Sequence, residues 1–408
     1  MSNFSDMILL LHNIVISMLL CYTDFSIFIK EILTMTSVKI IHTGDCHLGS
    51  SRKHINSGKR ELIDTFLRIL SLCRKDTVDF LLIAGDLFDS PFVDRETVSE
   101  VAAALAGIPD TQVIIASGNH DCACADSVYD TFAFSENVHL FTSATDYIDF
   151  PDKNTRIYGA GFTSTHCSES FFRDFSVNSP DTINIGVFHG EVTTSSGCLY
   201  NPISESQIAA SRLDYLALGH IHMRSEILKS GNTFYAYCGC PDSRGFDETG
   251  VQGIYMGTVG KNRCELDFVN LSSRLYITDT VDISGASSSH SIAEMILSYL
   301  QEIYGINYSD NLYKLTLKGS ISPDVIMNSS HISKLVSEYV QFCYILDSTE
   351  TEILDLDELA KEPTLRGVFV QKMLKRLDNA APNERTAIHE ALKIGLRAFN
   401  REVKLLDN

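Results

Sequence analysis

The chain has 408 residues, 44% of them hydrophobic, and carries 33 Lys and Arg against 52 Asp and Glu, a formal net charge of −19. That length fits two domains better than one, and the apolar fraction is enough to bury a core in each. A charge of this sign excludes nucleic-acid binding through bulk attraction, so any such contact must come from local basic patches or bound cations.

Met7–Tyr22 reads MILLLHNIVISMLLCY, an apolar run broken by His12 and Asn13. It is short of the roughly 20 residues a membrane span needs. Asp6 precedes it and no small-residue cleavage site follows, unlike a secretory signal. Met35 then opens the strand-like TSVKIIHTGD, so residues 1–34 read as an N-terminal extension in preference to a membrane anchor. Short apolar, β-branched runs follow at Val38–His42, Phe80–Ala84, Val113–Ala116, Ile183–Phe188 and Tyr215–Leu218. Such runs suit strands buried on both faces. Between the early ones lie helical patterns. Lys59–Arg74 places Leu62, Phe66, Ile69, Leu70 and Cys73 on one face, and Arg95–Leu105 is Ala-rich. Strands alternating with helices predict an α/β domain over residues 35–270, a layered β-sandwich flanked by helices.

From residue 271 to 348 the pattern becomes that of a smaller α+β capping domain. Strands are expected at Leu275–Ile283, Leu312–Lys318 and Phe342–Leu346, and helices at Ser291–Tyr304 and His331–Val340. Residues 349–408 start with an acidic stretch, Glu350–Glu362, read as a solvated connector. Two helices, Leu365–Leu377 and Asn383–Asn400, complete the chain. The 11 cysteines are odd in number, scattered and free of C-x-x-C pairs. They read as free thiols of a reducing, cytoplasmic compartment. Cys122 with Cys124, or Cys238 with Cys240, could serve as soft metal ligands, but small buried residues near turns is the favoured reading.

The polar residues that end the strands carry the chemical information. The first strand delivers Gly44-Asp45-Cys46-His47, and alternation along an extended chain points Asp45 and His47 to one side. The second delivers Gly85-Asp86-Leu87-Phe88-Asp89, the third Gly118-Asn119-His120-Asp121, the fourth His189-Gly190, the fifth Gly219-His220-Ile221-His222. Open α/β sheets place their sites at such C-terminal strand ends. Asp, His and Asn suit divalent metals in mixed nitrogen and oxygen sites. A metal pair clamps the attacking and leaving oxygens of an in-line displacement. The candidate ligands are Asp45, His47, Asp86, Asn119, His189, His220 and His222. The other histidines, His42 among them, lack ligand spacing and read as ordinary core or surface residues.

The ordered motifs resemble those of the calcineurin-like metallophosphoesterases, and within them the SbcD-type and YhaO-type DNA-repair exonucleases. IHTGDCHLGS at Ile41–Ser50, YCGCPDSRGFDETGVQG at Tyr237–Gly253 and LRGVFVQKMLK at Leu365–Lys375 strengthen the likeness, which is strong over about residues 36–270 and loose beyond. The resemblance implies one metal held by Asp45, His47, Asp86 and His222, and another by Asp86, Asn119, His189 and His220, both preferably Mn²⁺. It implies that His120 stabilises developing charge and helps protonate the leaving group, with Asp121 orienting it. Some relatives carry a His used in positioning DNA where this chain has Asp89, which serves here either in substrate contact or as a structural hydrogen-bonding residue. Arg52, Lys53, His54, Lys59 and Arg60, on the loop after the first motif, are candidate phosphate contacts; an ordinary solvated helix start is the alternative. The resemblance further implies DNA as substrate, an SMC-like coiled-coil ATPase docked on the C-terminal helices, and room for a homodimer, with no membrane role. A phosphatase or cyclic-nucleotide phosphodiesterase, and a non-catalytic scaffold of an ATPase complex, are the competing readings.

Overall fold

In the computed structural model the described residues are 37–195, 197–322, 325–351, 356–381 and 384–399; the expected extension at 1–34 lies outside them. The uniformly apolar runs become the inner strands. β1 (Ser37–Thr43), β2 (Phe80–Ala84), β3 (Gln112–Ala116) and β4 (Val138–Phe141) run parallel, side by side. β5 (Asp146–Phe150), β6 (Thr155–Gly159) and β7 (Ile183–His189) follow, then the short pair β8 (Glu191–Val192) and β9 (Pro202–Ile203). β10 (Tyr215–Gly219), β11 (Leu228–Ser230), β12 (Thr233–Tyr237), β13 (Gly253–Gly260) and β14 (Arg263–Asn270) complete the series. They form two six-stranded mixed sheets, ordered β14-β13-β1-β2-β3-β4 and β11-β12-β10-β7-β6-β5.

The sheets pack face to face. Val38, Ile40, Phe80, Leu82 and Ile114 of the first meet Ile157, Ile185, Val187, Tyr215 and Ala217 of the second in one buried cluster. On the far face of the first sheet, Ile41, Leu81, Ile83 and Val113 meet Leu62, Phe66 and Ile69 of the helix Gly58–Lys75 and Val101 and Leu105 of the helix Arg95–Ala106. β2 is therefore covered on both sides and all five of its residues are buried. This is the α/β sandwich flanked by helices that the sequence predicts. The strands the sequence reading misses, β5 and β11 to β14 among them, lie toward the sheet edges. β14 has no buried residue, so it offers no apolar run to detect.

By its internal contacts the chain separates into two units, one of residues up to Arg244 together with Val251–Ser273, the other of Gly245–Gly250 and Arg274 onward. The second unit holds a parallel sheet of β15 (Tyr276–Asp282), β16 (Leu312–Lys318) and β18 (Phe342–Asp347), and the short pair β17 (Ser320–Ile321) and β19 (Glu350–Thr351). Helices Ser289–Tyr304 and Ser329–Val336 supply Ile292, Ile296, Ile332 and Val336 to its core. The helices Leu365–Asp378 and Arg385–Phe399 pair through Val370, Met373, Leu377, Leu392 and Leu396. The acidic stretch expected as a solvated connector is more structured than that. Glu350–Thr351 pairs as β19, and Leu356–Leu359 is a helical turn whose Leu359 is buried. Among the described residues no helix is long and apolar enough to cross a membrane.

Candidate metal centre

Because β1, β2, β3, β7 and β10 run in the same direction within their sheets, their C-terminal ends share one edge of the sandwich. Asp45 and His47 follow β1, Asp86 follows β2, Asn119 and His120 follow β3, His189 ends β7, and His220 and His222 follow β10. The backbone there is unusual. Asp45, His47, Asp86 and His220 adopt φ of 50°, 46°, 50° and 97°, the left-handed region in which a non-glycine residue costs about 1–3 kcal/mol. Backbone bonds hold these turns: the Asp45 amide donates to the Gly85 carbonyl at 3.0 Å and the His47 amide to the Asp86 carbonyl at 2.9 Å. The His220 amide donates to both Asp45 carboxylate oxygens, at 3.1 and 3.0 Å, and the His120 amide to Asp86 Oδ1 at 2.8 Å. Glycine is required beside these side chains. A Cβ on Gly118 would overlap Asp86 Oδ1, and one on Gly85 would overlap the His189 ring.

The side chains converge in two overlapping sets. In one, His47 Nε2 lies 3.2 Å from His222 Nε2 and 3.8 Å from Asp86 Oδ2, and His222 Nε2 lies 3.8 Å from Asp45 Oδ1. In the other, His189 Nε2 lies 2.9 Å from Asn119 Oδ1 and 3.4 Å from Asp86 Oδ2, and His220 Nδ1 lies 3.2 Å from Asn119 Oδ1. Asp86 belongs to both. His189 Nδ1, 3.0 Å from the Ala84 carbonyl, has its donor role there, which leaves the Nε2 lone pair facing the cluster. Burial pushes the Asp45 carboxyl up to about 8 and that of Asp86 up to about 6. It pushes the His189 and His220 imidazoles down to about 4. Buried carboxylates, once ionised, call for a compensating cation, and imidazoles kept neutral by burial hold a lone pair free to bind one. The mixed nitrogen and oxygen donor set fits divalent metals, and among the described residues the candidate metal-holding groups comprise His and carboxylates without cysteine.

Asp121 does not orient His120. Its carboxylate is buried and accepts from the Gly118 amide at 2.7 Å, the Phe88 amide at 3.1 Å and the Tyr129 hydroxyl at 2.6 Å. It fixes the loop that presents Asn119. The neighbour of His120 is Asp89, whose carbonyl lies 3.3 Å from His120 Nδ1 and whose Oδ1 lies 3.9 Å from it. Asp89 Oδ1 is also 3.1 Å from His47 Nδ1 and 3.2 Å from Arg244 Nη1. Asp89 is therefore built into the cluster, and its carboxylate is not placed as a phosphate contact. Arg244, whose Nη2 lies 3.3 Å from His222 Nδ1, escapes sequence reasoning; its one signal is its place in the segment YCGCPDSRGFDETGVQG.

The basic loop also differs from expectation. Arg52 is wholly buried, paired with Asp242 and, at 3.4 Å, with Glu61, so it is a structural residue and not a DNA contact. Lys59 pairs with Asp94 at 2.7 Å, and Arg60 with Asp64 at 2.7 Å and Glu100 at 2.6 Å. These carboxylates offset the charge that was to attract phosphates. Lys53 and His54 are exposed. Removing one member of a buried pair leaves an uncompensated charge, so Arg52→Ala is expected to destabilise the fold by about 3–5 kcal/mol, read from chemical denaturation. A variant as stable as the parent would contradict this.

Residues 38–224 match the family model described as calcineurin-like phosphoesterase. The chain is 25% identical over 301 residues to the uncharacterized metallophosphoesterase YhaO of Bacillus subtilis (strain 168), covering 70% of each chain. It is 21% identical over 345 residues to the DNA double-strand break repair protein Mre11 of Methanococcus maripaludis, covering 74% of this chain and 91% of that one. It is 22% identical over 233 residues to the SbcD component of the nuclease SbcCD of Staphylococcus epidermidis, covering 50% of this chain and 60% of that one.

Proposed function

Residues 38–224 are a calcineurin-like metallophosphoesterase domain, a hydrolase of phosphoester bonds, and on that premise we propose that the chain is a dinuclear-metal-dependent DNA nuclease. The observation that carries the reading is the convergence, at one edge of the sandwich, of Asp45, His47, Asp86, Asn119, His189, His220 and His222. Asp45, His47, Asp86 and His222 would hold one cation and Asp86, Asn119, His189 and His220 the other, with Mn²⁺ the ion preferred. When bound, the pair supplies positive charge to the phosphate oxygens and lowers the pKa of water in the pocket.

The chain's own groups do the rest. His120 is half exposed beside the His47 ring, with centroids 4.6 Å apart and planes at 88°. With Nδ1–H donating to the Asp89 carbonyl, Nε2 is the ring nitrogen left to deliver a proton to a leaving oxygen. Asp89 stands behind both rings, its Oδ1 3.1 Å from His47 Nδ1 and 3.9 Å from His120 Nδ1. Asp89→Asn is accordingly expected to weaken Mn²⁺ binding by about 10- to 100-fold in calorimetric titration, as loss of a partner behind a ligand does elsewhere. Unchanged affinity would remove Asp89 from this role.

The likeness to proteins named for DNA repair and nuclease activity supports DNA as substrate, and we take an SMC-like ATPase as the partner. Exposed Leu365, Val368 and Ile394 on the C-terminal helices offer that partner an apolar surface. The test compares Mn²⁺-dependent cleavage of linear duplex DNA, single-stranded DNA and bis-p-nitrophenyl phosphate. Cleavage of DNA is the expected result. Hydrolysis of the small ester alone would assign a small-molecule phosphodiesterase, and no hydrolysis with any divalent metal would overturn the reading.

A further inference from the structure

The two sheets divide the metal centre between them. Asp45, His47, Asp86 and Asn119 belong to the first sheet, and His189, His220 and His222 to the second. Each proposed cation takes ligands from both. The relative placement of the sheets is therefore part of the site, yet the core between them is apolar. Apolar packing is non-directional, so a small shear between the faces changes little burial. A metal centre tolerates about 0.5 Å of misplacement.

A polar ring is set into that core. His42 shares the inner face of β1 with Val38 and Ile40 and is completely buried. Its Nδ1 lies 2.8 Å from the Tyr215 hydroxyl and its Nε2 lies 3.2 Å from the Leu218 carbonyl, both on β10 of the opposite sheet. A carbonyl only accepts, so Nε2 carries the proton and Nδ1 accepts from Tyr215. One tautomer satisfies both ring nitrogens. Burial holds the imidazole down at about 3, and the ring is neutral. A leucine would fill comparable space without burying a polar ring. What histidine adds is direction, through two bonds linking strands 173 and 176 residues apart in sequence. These bonds sit directly beneath the centre: Asp45 lies three residues beyond His42 on one sheet, and His220 two residues beyond Leu218 on the other.

We propose that His42 is a positioning residue that pins β1 to β10 through Tyr215 and Leu218, setting the spacing between the ligands the two sheets contribute. The proposal rests on the dinuclear reading above. It is tested in the full chain with His42→Leu, which removes both bonds, and Tyr215→Phe, which removes one oxygen. Mn²⁺ is titrated at low temperature, well below the melting transition of each variant, and paramagnetic resonance follows free ions and the spin-coupled pair. Folded His42→Leu is expected to lose the coupled pair and bind the second ion about 10- to 100-fold more weakly, with Tyr215→Phe intermediate. A lower melting temperature with unchanged binding of both ions would mark His42 as merely structural and overturn the proposal. Should His42→Leu fail to fold, parental affinities in Tyr215→Phe would overturn it equally. A parent chain that binds no ion pair would instead sink the dinuclear reading, and the proposal with it.

Discussion

Asp86→Asn is expected to lower phosphodiester hydrolysis by roughly 10²–10³-fold, the order lost when one charge-stabilising group is removed from a preorganised site. The carboxylate stands 3.8 Å from His47 Nε2 and 3.4 Å from His189 Nε2, so both cation positions lose their shared anion at once. The fold should not suffer. An asparagine retains an oxygen to accept from the His120 amide, a bond of 2.8 Å in the parent. Burial raises the Asp86 carboxyl to about 6, so its ionisation opposes folding of the metal-free chain. That penalty is absent below pH ~4, the ordinary carboxylate range, and complete above the raised value. In chelator, the variant should melt at the same or a higher temperature than the parent, with the larger gain at pH 8 rather than pH 5. Activity within tenfold of the parent would remove Asp86 from the bridging position.

His120→Gln should separate chemistry from cation binding. The side chain is in neither proposed ligand set, and Mn²⁺ affinity near that of the parent is expected; a large loss would assign it instead to the donor group it forms with His47 and Asp89. Loss of a general acid lowers turnover by about 10²–10⁴-fold. The loss should depend on the leaving group. An alkoxide departing from a sugar needs a proton, whereas p-nitrophenolate leaves readily without one. Steady-state rates on DNA and on bis-p-nitrophenyl phosphate measure the difference. Equal losses on the two substrates would mean that His120 acts through charge on the phosphate and donates no proton.

The sandwich and the convergence of the Asp, Asn and His side chains were legible in the sequence for one reason. Central strands are mostly apolar, and the same strands end in Gly-Asp, Gly-Asn, Gly-His or His-Gly where the site lies. Periodicity and punctuation thus carried the same message. What sequence could not supply was orientation. Asp121 adjoins His120, and adjacency suggested partnership, but the Gly118 and Phe88 amides and the Tyr129 hydroxyl claim its carboxylate. Asp89 stands behind His120 instead, from a different loop. Arg52 had the look of a phosphate contact because its counter-charge, Asp242, lies far along the chain. Such pairs are decided by tertiary structure, and no local pattern announces them.

The left-handed turns have a consequence for anyone mutating this centre. Aspartate, asparagine and histidine visit that backbone region more readily than most residues, and alanine has no such ease. An alanine scan through Asp45, His47, Asp86 and His220 would confound two injuries, a missing ligand and a reluctant peptide, and would overstate the chemistry. Asparagine at these places leaves the chain's path undisturbed and, since its amide oxygen can still serve as a donor as that of Asn119 does, it isolates the loss of charge or of the imidazole.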